Sequence, residues 1–294
     1  MIEIKSINAN KHPMSSILIL NDNRIAYSSN EKYAIKILNP NKNYQCDASL
    51  TGHSNFVNSI TQLNDNNIAS CSNDHSIKIW SITSYKCLYT ISNGHRSYVL
   101  KVISLPLNRI ATCAGSSEIK IWNTKPPYSD TPIKVLEGHS DSVISLLYIK
   151  ERDIMLSSSR DDTLHLWNMS TYQCDKVIEG VYCYFTNSLY QIDKDRVIVG
   201  GKKSFSIVNI DKCIIEKRIV DESLEYVRCF LKLRDNKTIL CGCNNGIFCF
   251  YDMNTEQYKI TNDNHHSSIT DLLLIDDNTF LSCSRDSTIK VWRY

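Results

Sequence analysis

The chain has 294 residues, of which 42% are hydrophobic and 22% charged, a composition typical of a globular protein with a large core. This composition excludes the disordered and collagen-like classes of protein. Lys and Arg number 33 against 31 Asp and Glu, and the net charge of +2 gives little attraction for nucleic acid or an anionic membrane. The start, MIEIKSINANKHP, lacks the apolar core of a signal peptide, and no later stretch approaches the roughly 18 apolar residues of a membrane span. We therefore expect a soluble, intracellular protein.

Seven similar segments follow one another along the chain. Their last residues are at 38, 80, 122, 167, 208, 250 and 292, so the successive spacings are 42, 42, 45, 41, 42 and 42. This period falls within the roughly 40 to 45 residues of a four-stranded propeller blade. Segments such as SIKIW (76–80) alternate apolar and polar residues, as strands do. The repeats are predicted at about 8–38, 39–80, 81–122, 123–167, 168–208, 209–250 and 251–292.

The N-terminal segment is predicted to supply a strand that the last repeat lacks. An extended tract such as SYKCLYTI (84–91) follows each of the first six closing residues, but only Arg293 and Tyr294 follow the seventh. MIEIKSI (1–7) has the alternation of a strand. We predict that residues 1–7 pair with the last repeat and close a single β-propeller domain, 1–294, because closure protects the exposed edges of a repeat array.

The repeats carry residues that identify a family. Gly-His pairs occur at Gly52-His53, Gly94-His95 and Gly138-His139, and all four tryptophans of the chain end a repeat. With these residues and the SxDx tracts around Asp74, Asp161 and Asp286, the sequence resembles the WD40 family over essentially its whole length. The resemblance implies an all-β, seven-bladed propeller of four-stranded antiparallel blades.

Ser, His and Asp recur together and invite a hydrolase interpretation. A triad repeated three times at one period is unexpected in an enzyme, so we predict no catalytic residues. The resemblance implies instead that Asp orients His, His contacts the Ser hydroxyl, and the hydroxyl accepts a hydrogen bond from the Trp indole. The predicted structural tetrads are His53, Ser70, Asp74, Trp80; His139, Ser157, Asp161, Trp167; and His265, Ser282, Asp286, Trp292. The third repeat has Ser116 in place of Asp, and repeats five and six have Val181 and Ser223 at the His position.

The twelve cysteines do not indicate a metal site or a disulfide framework. Cys71, Cys113, Cys241 and Cys283 each precede their closing residue by nine positions. Residues that recur once per blade cannot converge on one ion, so we expect buried, reduced thiols and neither metal nor cofactor. A cytoplasmic setting follows, with the nucleus left open.

The resemblance also implies a partner-binding face beside the Gly-His loops and the turn aspartates. Aromatic and arginine side chains are typical of binding hot spots, and arginines without acidic neighbours favour an acidic or phosphorylated peptide. We therefore predict a non-catalytic scaffold for protein or peptide partners. The alternative is a nucleic-acid- or ribosome-associated propeller. The predicted face comprises Phe56, Asn58, Asn73, Tyr98, Leu100, Arg160, Tyr184, Thr186, Tyr226, Arg228 and Arg285.

Overall fold

The computed structural model describes residues 1–8, 13–63, 66–92, 94–261 and 265–294. Within these residues, 28 strands form seven four-stranded antiparallel sheets. The predicted fold class, an all-β, seven-bladed propeller with four-stranded blades, is thereby confirmed. The predicted repeats also contain residues 9–12, 64, 65, 93 and 262–264, which lie outside the described residues.

The strands are numbered in chain order. The first seventeen are β1 (Ile2–Asn8), β2 (Ile17–Ile19), β3 (Ile25–Ser29), β4 (Ala34–Asn39), β5 (Gln45–Leu50), β6 (Val57–Gln62), β7 (Asn67–Ser72), β8 (Ile77–Ser81), β9 (Cys87–Ile91), β10 (Val99–Leu105), β11 (Arg109–Ala114), β12 (Ile119–Asn123), β13 (Lys134–Leu136), β14 (Val143–Ile149), β15 (Ile154–Ser159), β16 (Thr163–Asn168) and β17 (Cys174–Glu179). The remaining strands are β18 (Leu189–Gln191), β19 (Arg196–Gly200), β20 (Ser204–Asn209), β21 (Ile214–Val220), β22 (Val227–Lys232), β23 (Thr238–Cys243), β24 (Phe248–Asp252), β25 (Tyr258–Thr261), β26 (Ile269–Leu274), β27 (Thr279–Ser284) and β28 (Thr288–Arg293). Short 3₁₀ helices lie at Glu31–Tyr33, Pro40–Lys42, Lys150–Arg152 and Glu222–Leu224.

The chain divides into two compact units, and the first to be described is Leu18–Val181. It holds the sheets β2–β5, β6–β9, β10–β13 and β14–β17, with β2 beginning one residue earlier. Its core lies between successive sheets, where buried Ile, Leu and Val side chains surround Trp80, Trp122 and Trp167. Burying these large rings supplies much of the hydrophobic stabilisation of each sheet pair.

The second unit comprises Met1–Ile17 and Tyr182–Tyr294. It holds the sheets β18–β21, β22–β25 and β26–β28, the last completed by β1. β1 pairs antiparallel with β28, with Ile7 opposite Ile289 and Ser6 opposite Lys290. The predicted closure of the last repeat by residues 1–7 is therefore confirmed. Phe205, Phe248 and Phe280 are fully buried in this unit.

The inner strands share one irregularity that positions the candidate site. A register shift follows the first residue of β6, β10, β14, β22 and β26. In each case one residue is left out of the ladder as a β-bulge, which aims its side chain differently from a regular strand residue. Asn58, Leu100 and Arg228, three residues of the predicted face, are such bulge residues.

The sixth repeat is offset by one residue from the predicted alignment. Tyr251 pairs with Ile239 as Trp292 pairs with Phe280, so Tyr251, and not Phe250, is the closing residue. The cause is the turn between β22 and β23: Leu233 bonds to Thr238, five residues on, whereas Leu63 bonds to Asn67, four residues on. Cys241 consequently takes the position of the tetrad serine, and its predicted equivalence to Cys71 is wrong.

Candidate functional site

The three predicted tetrads are joined by short hydrogen bonds. In the second repeat, Nδ1 of His53 lies 2.7 Å from Oδ2 of Asp74, and Nε2 lies 2.7 Å from Oγ of Ser70. The indole nitrogen of Trp80 donates to the same Ser70 oxygen at 2.8 Å. Corresponding distances of 2.6 to 2.8 Å join the other two sets, His139, Ser157, Asp161, Trp167 and His265, Ser282, Asp286, Trp292.

Each set has a fifth member that the sequence analysis missed. A hydroxyl two residues after the Asp donates to the carboxylate at 2.6 Å, as Thr163 does to Asp161. Burial alone would raise the pKa of Asp161, but hydrogen bonds from Thr163, the Ser140 amide and His139 outweigh it and hold the pKa at about 2. The signal was present in the sequence as Ser or Thr two residues after each Asp. The other two hydroxyls belong to Ser76 and Thr288.

In each tetrad, both ring nitrogens of the histidine take part in hydrogen bonds. Both imidazole nitrogens of His139 are held, one by Asp161 and one by Ser157, and the imidazole is buried. Among the described residues, the ligand atoms of His139, Asp161 and His165 lie close enough together to hold a metal ion. The two ligand atoms of His139 and Asp161 are only 2.8 Å apart, at hydrogen-bond distance. A metal ion bound by both atoms would have to replace that hydrogen bond. The group therefore fits a tetrad with a second imidazole stacked on it, 3.7 Å away.

The third repeat has an incomplete set. His95 contacts Thr112 at 2.8 Å, and Trp122 donates to the same hydroxyl. Nδ1 of His95 and Oγ of Ser116 are both buried, and among the described residues neither has a hydrogen-bond partner. Burial, with a contribution from the Lys120 charge, lowers the pKa of His95 to about 3.

Substitution of Ser116 with Asp is expected to stabilise the protein by about 1 kcal/mol at pH 7, because a carboxylate would accept from the unpaired His95 nitrogen. Thermal denaturation of the S116D variant measures the gain. The matched control is S117D, which places the same charge one residue further on. Equal effects of the two substitutions would contradict the explanation.

The free energy of unfolding should decrease as the pH is lowered from about 6.5 to about 4. Burial, and next the neighbouring His139, lowers the pKa of His165 to about 4, and that of His95 is about 3. An unfolded histidine has a pKa of about 6.5, so below that pH the unfolded chain binds protons that the folded chain does not, and the free energy of unfolding decreases. Urea denaturation at pH 7.0, 5.5 and 4.5 tests this. A flat profile would contradict it, and S116D should reduce the slope.

The predicted face residues of the unit Leu18–Val181 lie beside the ends of the inner strands. The carbonyl of Phe56 accepts from the Asn73 amide, and that of Ser142 accepts from the Arg160 amide. The Asn58 side chain donates to Asn73 and to the Val99 carbonyl. Phe56 and Tyr98 are 42% and 52% exposed. Arg160 is also exposed, and Leu100 is half-buried.

The two exposed rings of the predicted face in this unit, Phe56 and Tyr98, each pack against a second ring. Tyr33 meets Phe56 edge to face at 5.6 Å, and His75 meets Tyr98 at the same distance and in the same geometry. Tyr33 and His75 occupy turns with positive φ, 52° and 68°, which project them beside the next sheet. The result is an exposed surface on which Phe56 and Tyr98 each contact a neighbouring ring.

In the unit Met1–Ile17 with Tyr182–Tyr294, the equivalent side chains form a more compact cluster. Tyr184 and Phe185 each contact Tyr226 edge to face, with ring centroids 5.6 Å apart. The guanidinium of Arg228 lies 3.9 Å from the centre of the Phe185 ring. Arg285 is exposed, and its amide donates to the Ser268 carbonyl.

Two expectations for this unit are wrong. In the fifth repeat, the turn between β19 and β20 is one residue shorter than the turn between β23 and β24. The residues equivalent to Tyr226 and Arg228 are therefore Phe185 and Asn187 rather than Tyr184 and Thr186. Arg228, expected at the surface, is only 8% exposed because it occupies a bulge beneath Phe185. In the sixth repeat, a 3₁₀ turn exposes Ser223 and buries Leu224 near the expected His position.

All twelve cysteines lie in the described residues and are free thiols. Cys71, Cys113 and Cys283 are buried, as expected, and burial raises the pKa of the Cys71 thiol. Cys46 and Cys87 are exposed on the outer strands β5 and β9, so not every cysteine is a core residue.

Comparison with known proteins agrees with this architecture. The WD40 family model, described as WD domain, G-beta repeat, matches residues 44–81, 130–168 and 257–293. Nuclear distribution protein nudF of Aspergillus niger is 30% identical over 77 residues, which are 26% of this chain and 17% of that protein. WD repeat-containing protein 89 homolog of Dictyostelium discoideum is 27% identical over 129 residues, 42% of this chain and 34% of that protein. Ribosome biogenesis protein YTM1 of Debaryomyces hansenii is 49% identical over 45 residues, 15% of this chain and 10% of that protein.

The repeats, the tetrads and the seven sheets together define a β-propeller of the WD40 type. Three segments of the chain match the WD40 family model, and its relatives are WD-repeat proteins. The chain spans at most about a third of the length of these relatives. WD40 propellers are generally non-catalytic scaffolds for protein partners. Within the described residues, no helix is long and apolar enough to cross a membrane.

Proposed function

We propose that the protein is a non-catalytic scaffold that docks protein or peptide partners beside the ends of its inner strands. The proposal is based on Phe56 and Tyr98 in the unit Leu18–Val181, because both rings are exposed and each packs edge to face against a second ring. Large exposed aromatic side chains with restricted motion lose little conformational entropy on binding, and they are enriched at binding hot spots. The arginines Arg160, Arg228 and Arg285 favour an acidic or phosphorylated segment of the partner.

The test replaces both rings. We expect the F56A/Y98A variant to lose most of the proteins that wild type captures from cell lysate, as quantified by mass spectrometry. Leu107→Ala is the matched control, because Leu107 is 78% exposed but lies beyond the opposite end of β10. Equal capture by wild type and the double variant, with unchanged melting temperatures, would refute this docking surface.

The preference for acidic partners has its own test. Replacing Arg160, Arg228 and Arg285 together with alanine should reduce capture and should weaken its dependence on salt. If the folded triple variant recovers partners as well as wild type does, the preference for acidic partners is refuted, whereas docking on the aromatic rings is not.

A nucleic-acid- or ribosome-associated role is the second candidate. It is favoured by the similarity over 45 residues to a protein named for ribosome biogenesis. It is disfavoured by the net charge of +2, since phosphate binding usually needs concentrated positive charge. Retention on immobilised RNA that falls steeply with salt would support it, and salt-independent behaviour would exclude it.

We also propose an intracellular setting, with the cytoplasm as the first expectation. Its support is the set of twelve free cysteines, since thiols in an oxidising compartment tend to form disulfides. Imaging of a fluorescent fusion tests this proposal.

A further inference from the structure

Two cysteines of the sixth repeat face each other across the sheet. Cys241 of β23 lies directly opposite Cys249 of β24, and both side chains are fully buried in the same hydrophobic cluster. Side chains of directly opposed residues in an antiparallel pair lie on the same face, with Cβ atoms about 4.5 to 5.5 Å apart. The two thiols also share a hydrogen bond. They therefore form a pair, whereas the exposed Cys46 and Cys87 lie on the separate strands β5 and β9.

This pair occupies the ladder position of Ser70 and Lys78 in the second repeat. There the Trp80 indole donates to Ser70, so a side-chain hydrogen bond links the two middle strands β7 and β8. The sixth repeat has Cys241 in place of Ser70 and Tyr251 in place of Trp80, so the same indole-to-hydroxyl bond cannot form. A bond between the two sulfurs would supply a side-chain link between the corresponding strands, β23 and β24.

We propose that Cys241 and Cys249 are a redox modification site, at which hydrogen peroxide converts the two thiols into a disulfide between β23 and β24. Opposed residues of an antiparallel pair have Cα atoms about 4.5 to 5.5 Å apart. This separation lies within the range of about 4.4 to 6.8 Å that disulfides span. The bridge can therefore form without a change in the strand register. The proposal does not depend on the docking function, because both cysteines are buried inside the unit that comprises Met1–Ile17 and Tyr182–Tyr294.

The oxidation takes place in two steps. In the first, the thiolate of one cysteine attacks a peroxide oxygen, the O–O bond breaks, and a sulfenic acid forms. The leaving hydroxide takes up the proton that the thiol released, which gives one water molecule. In the second, the sulfur of the other cysteine attacks the sulfenic sulfur, the S–S bond forms, and the hydroxyl leaves with that thiol's proton as a second water. The two sulfurs together lose two electrons, and the peroxide gains them.

Burial keeps the pair reduced until the sixth repeat opens. Burial, and next the hydrogen bond with Cys249, raises the pKa of Cys241 well above its usual range, so little thiolate is present in the closed sheet. Peroxide also has no access to side chains that are fully buried. The reaction therefore depends on local opening of the sheet, which is easier where the middle strands lack the side-chain hydrogen bonds of a tetrad. Once formed, the disulfide opposes further opening of these strands.

Oxidation of the whole protein tests the site. Hydrogen peroxide is kept in excess after the exposed Cys46 and Cys87 have reacted, the remaining thiols are alkylated in denaturant, and the unreduced protein is digested with chymotrypsin. Cleavage after Phe248 separates Cys241 from Cys249, so mass spectrometry detects a disulfide between them as two joined peptides. We expect this joined species in wild type, with two hydrogen atoms fewer than the separate peptides, and we expect dithiothreitol to split it.

Cys243→Ala is the matched control for Cys249→Ala. Cys243 is also buried, on β23 and in the same cluster, but it lies opposite Val227 of β22. The C243A variant should form the bridge as wild type does, and peroxide should raise the melting temperature of both by about 3 to 6 °C. The C249A variant should form no bridge, and peroxide should change its melting temperature by less than about 1 °C. The melting temperatures before oxidation show whether each variant is folded.

Several results would contradict the inference. If folded wild type forms no bridge after the exposed thiols have reacted, the pair is not a modification site. A bridge from Cys249 to Cys243 would assign the chemistry to a different pair. Sulfinic or sulfonic acid at Cys241 without a disulfide would mean that the two thiols oxidise singly. An equal rise in the melting temperature of wild type and C249A would mean that the stabilisation comes from other cysteines.

Discussion

Replacement of Ser70 with alanine is expected to lower the free energy of unfolding by about 2 to 4 kcal/mol. The Ser70 hydroxyl accepts from the Trp80 indole and contacts Nε2 of His53, and all three side chains are buried. Alanine leaves both partners without a hydrogen bond in a place that water does not reach. Each such group costs about 1 to 3 kcal/mol. Urea denaturation followed by tryptophan fluorescence measures the loss, because Trp80 itself reports on this site.

Cys241→Ala is the matched control for the Ser70 variant. Cys241 occupies the same strand position in the sixth repeat and is equally buried, but it lies opposite Cys249 across the sheet, and among the described residues its hydrophobic cluster contains no Trp. Its loss should cost only about 1 kcal/mol, for one buried atom. Similar losses for the two substitutions would mean that packing, and not the hydrogen bonds, stabilises the second repeat.

The fold was predictable because a small number of side chains must recur at fixed positions to satisfy buried polar groups. Trp80, Ser70 and His53 can meet only when their three strand and loop positions are in register, so their spacing in the sequence reports the sheet pairing directly. The strand β1 was predictable for a similar reason, since the last repeat lacked one strand and residues 1–7 had the right alternation.

The repeats without tetrads were less predictable. In the sixth repeat, one extra residue between Leu233 and Thr238 moves the closing position to Tyr251. Repeat lengths alone do not show such an insertion, and no Trp was present to mark the error. In the fifth repeat, the turn between β19 and β20 is one residue shorter than its counterpart in the second repeat, because Gly200 lies opposite Phe205 whereas Cys71 lies opposite Ile77, and this shifts the face positions by one residue.

The burial of Arg228 could not be read from the sequence at all. Its position in the repeat is the same as that of Asn58, which is half-buried and donates to Asn73 much as Arg228 donates to Asn244. What differs is the Phe185 ring from the preceding repeat, which lies over the Arg228 guanidinium. A surface arginine and a buried arginine thus have the same sequence signature.

Deletion of residues 1–7 is expected to lower the melting temperature by about 5 to 10 °C. β1 pairs with β28 over Ile2 to Asn8, and the deletion leaves the outer backbone groups of β28 without ladder partners. It also removes the ion pair between Glu3 and Lys290, 2.9 Å apart. Little hydrophobic burial is lost, because Ile2 and Ile4 are exposed, so the hydrogen-bond ladder accounts for most of the effect.

The I2S/I4S variant separates the ladder from the side chains. It keeps the strand and removes only exposed apolar surface, so its melting temperature should stay within about 2 °C of wild type. The deletion variant should also aggregate on heating, since the uncovered β28 presents an open strand edge to other molecules. Differential scanning fluorimetry with light scattering records both quantities. A deletion variant that melts and scatters like wild type would show that β1 is dispensable and that the last sheet is stable with three strands.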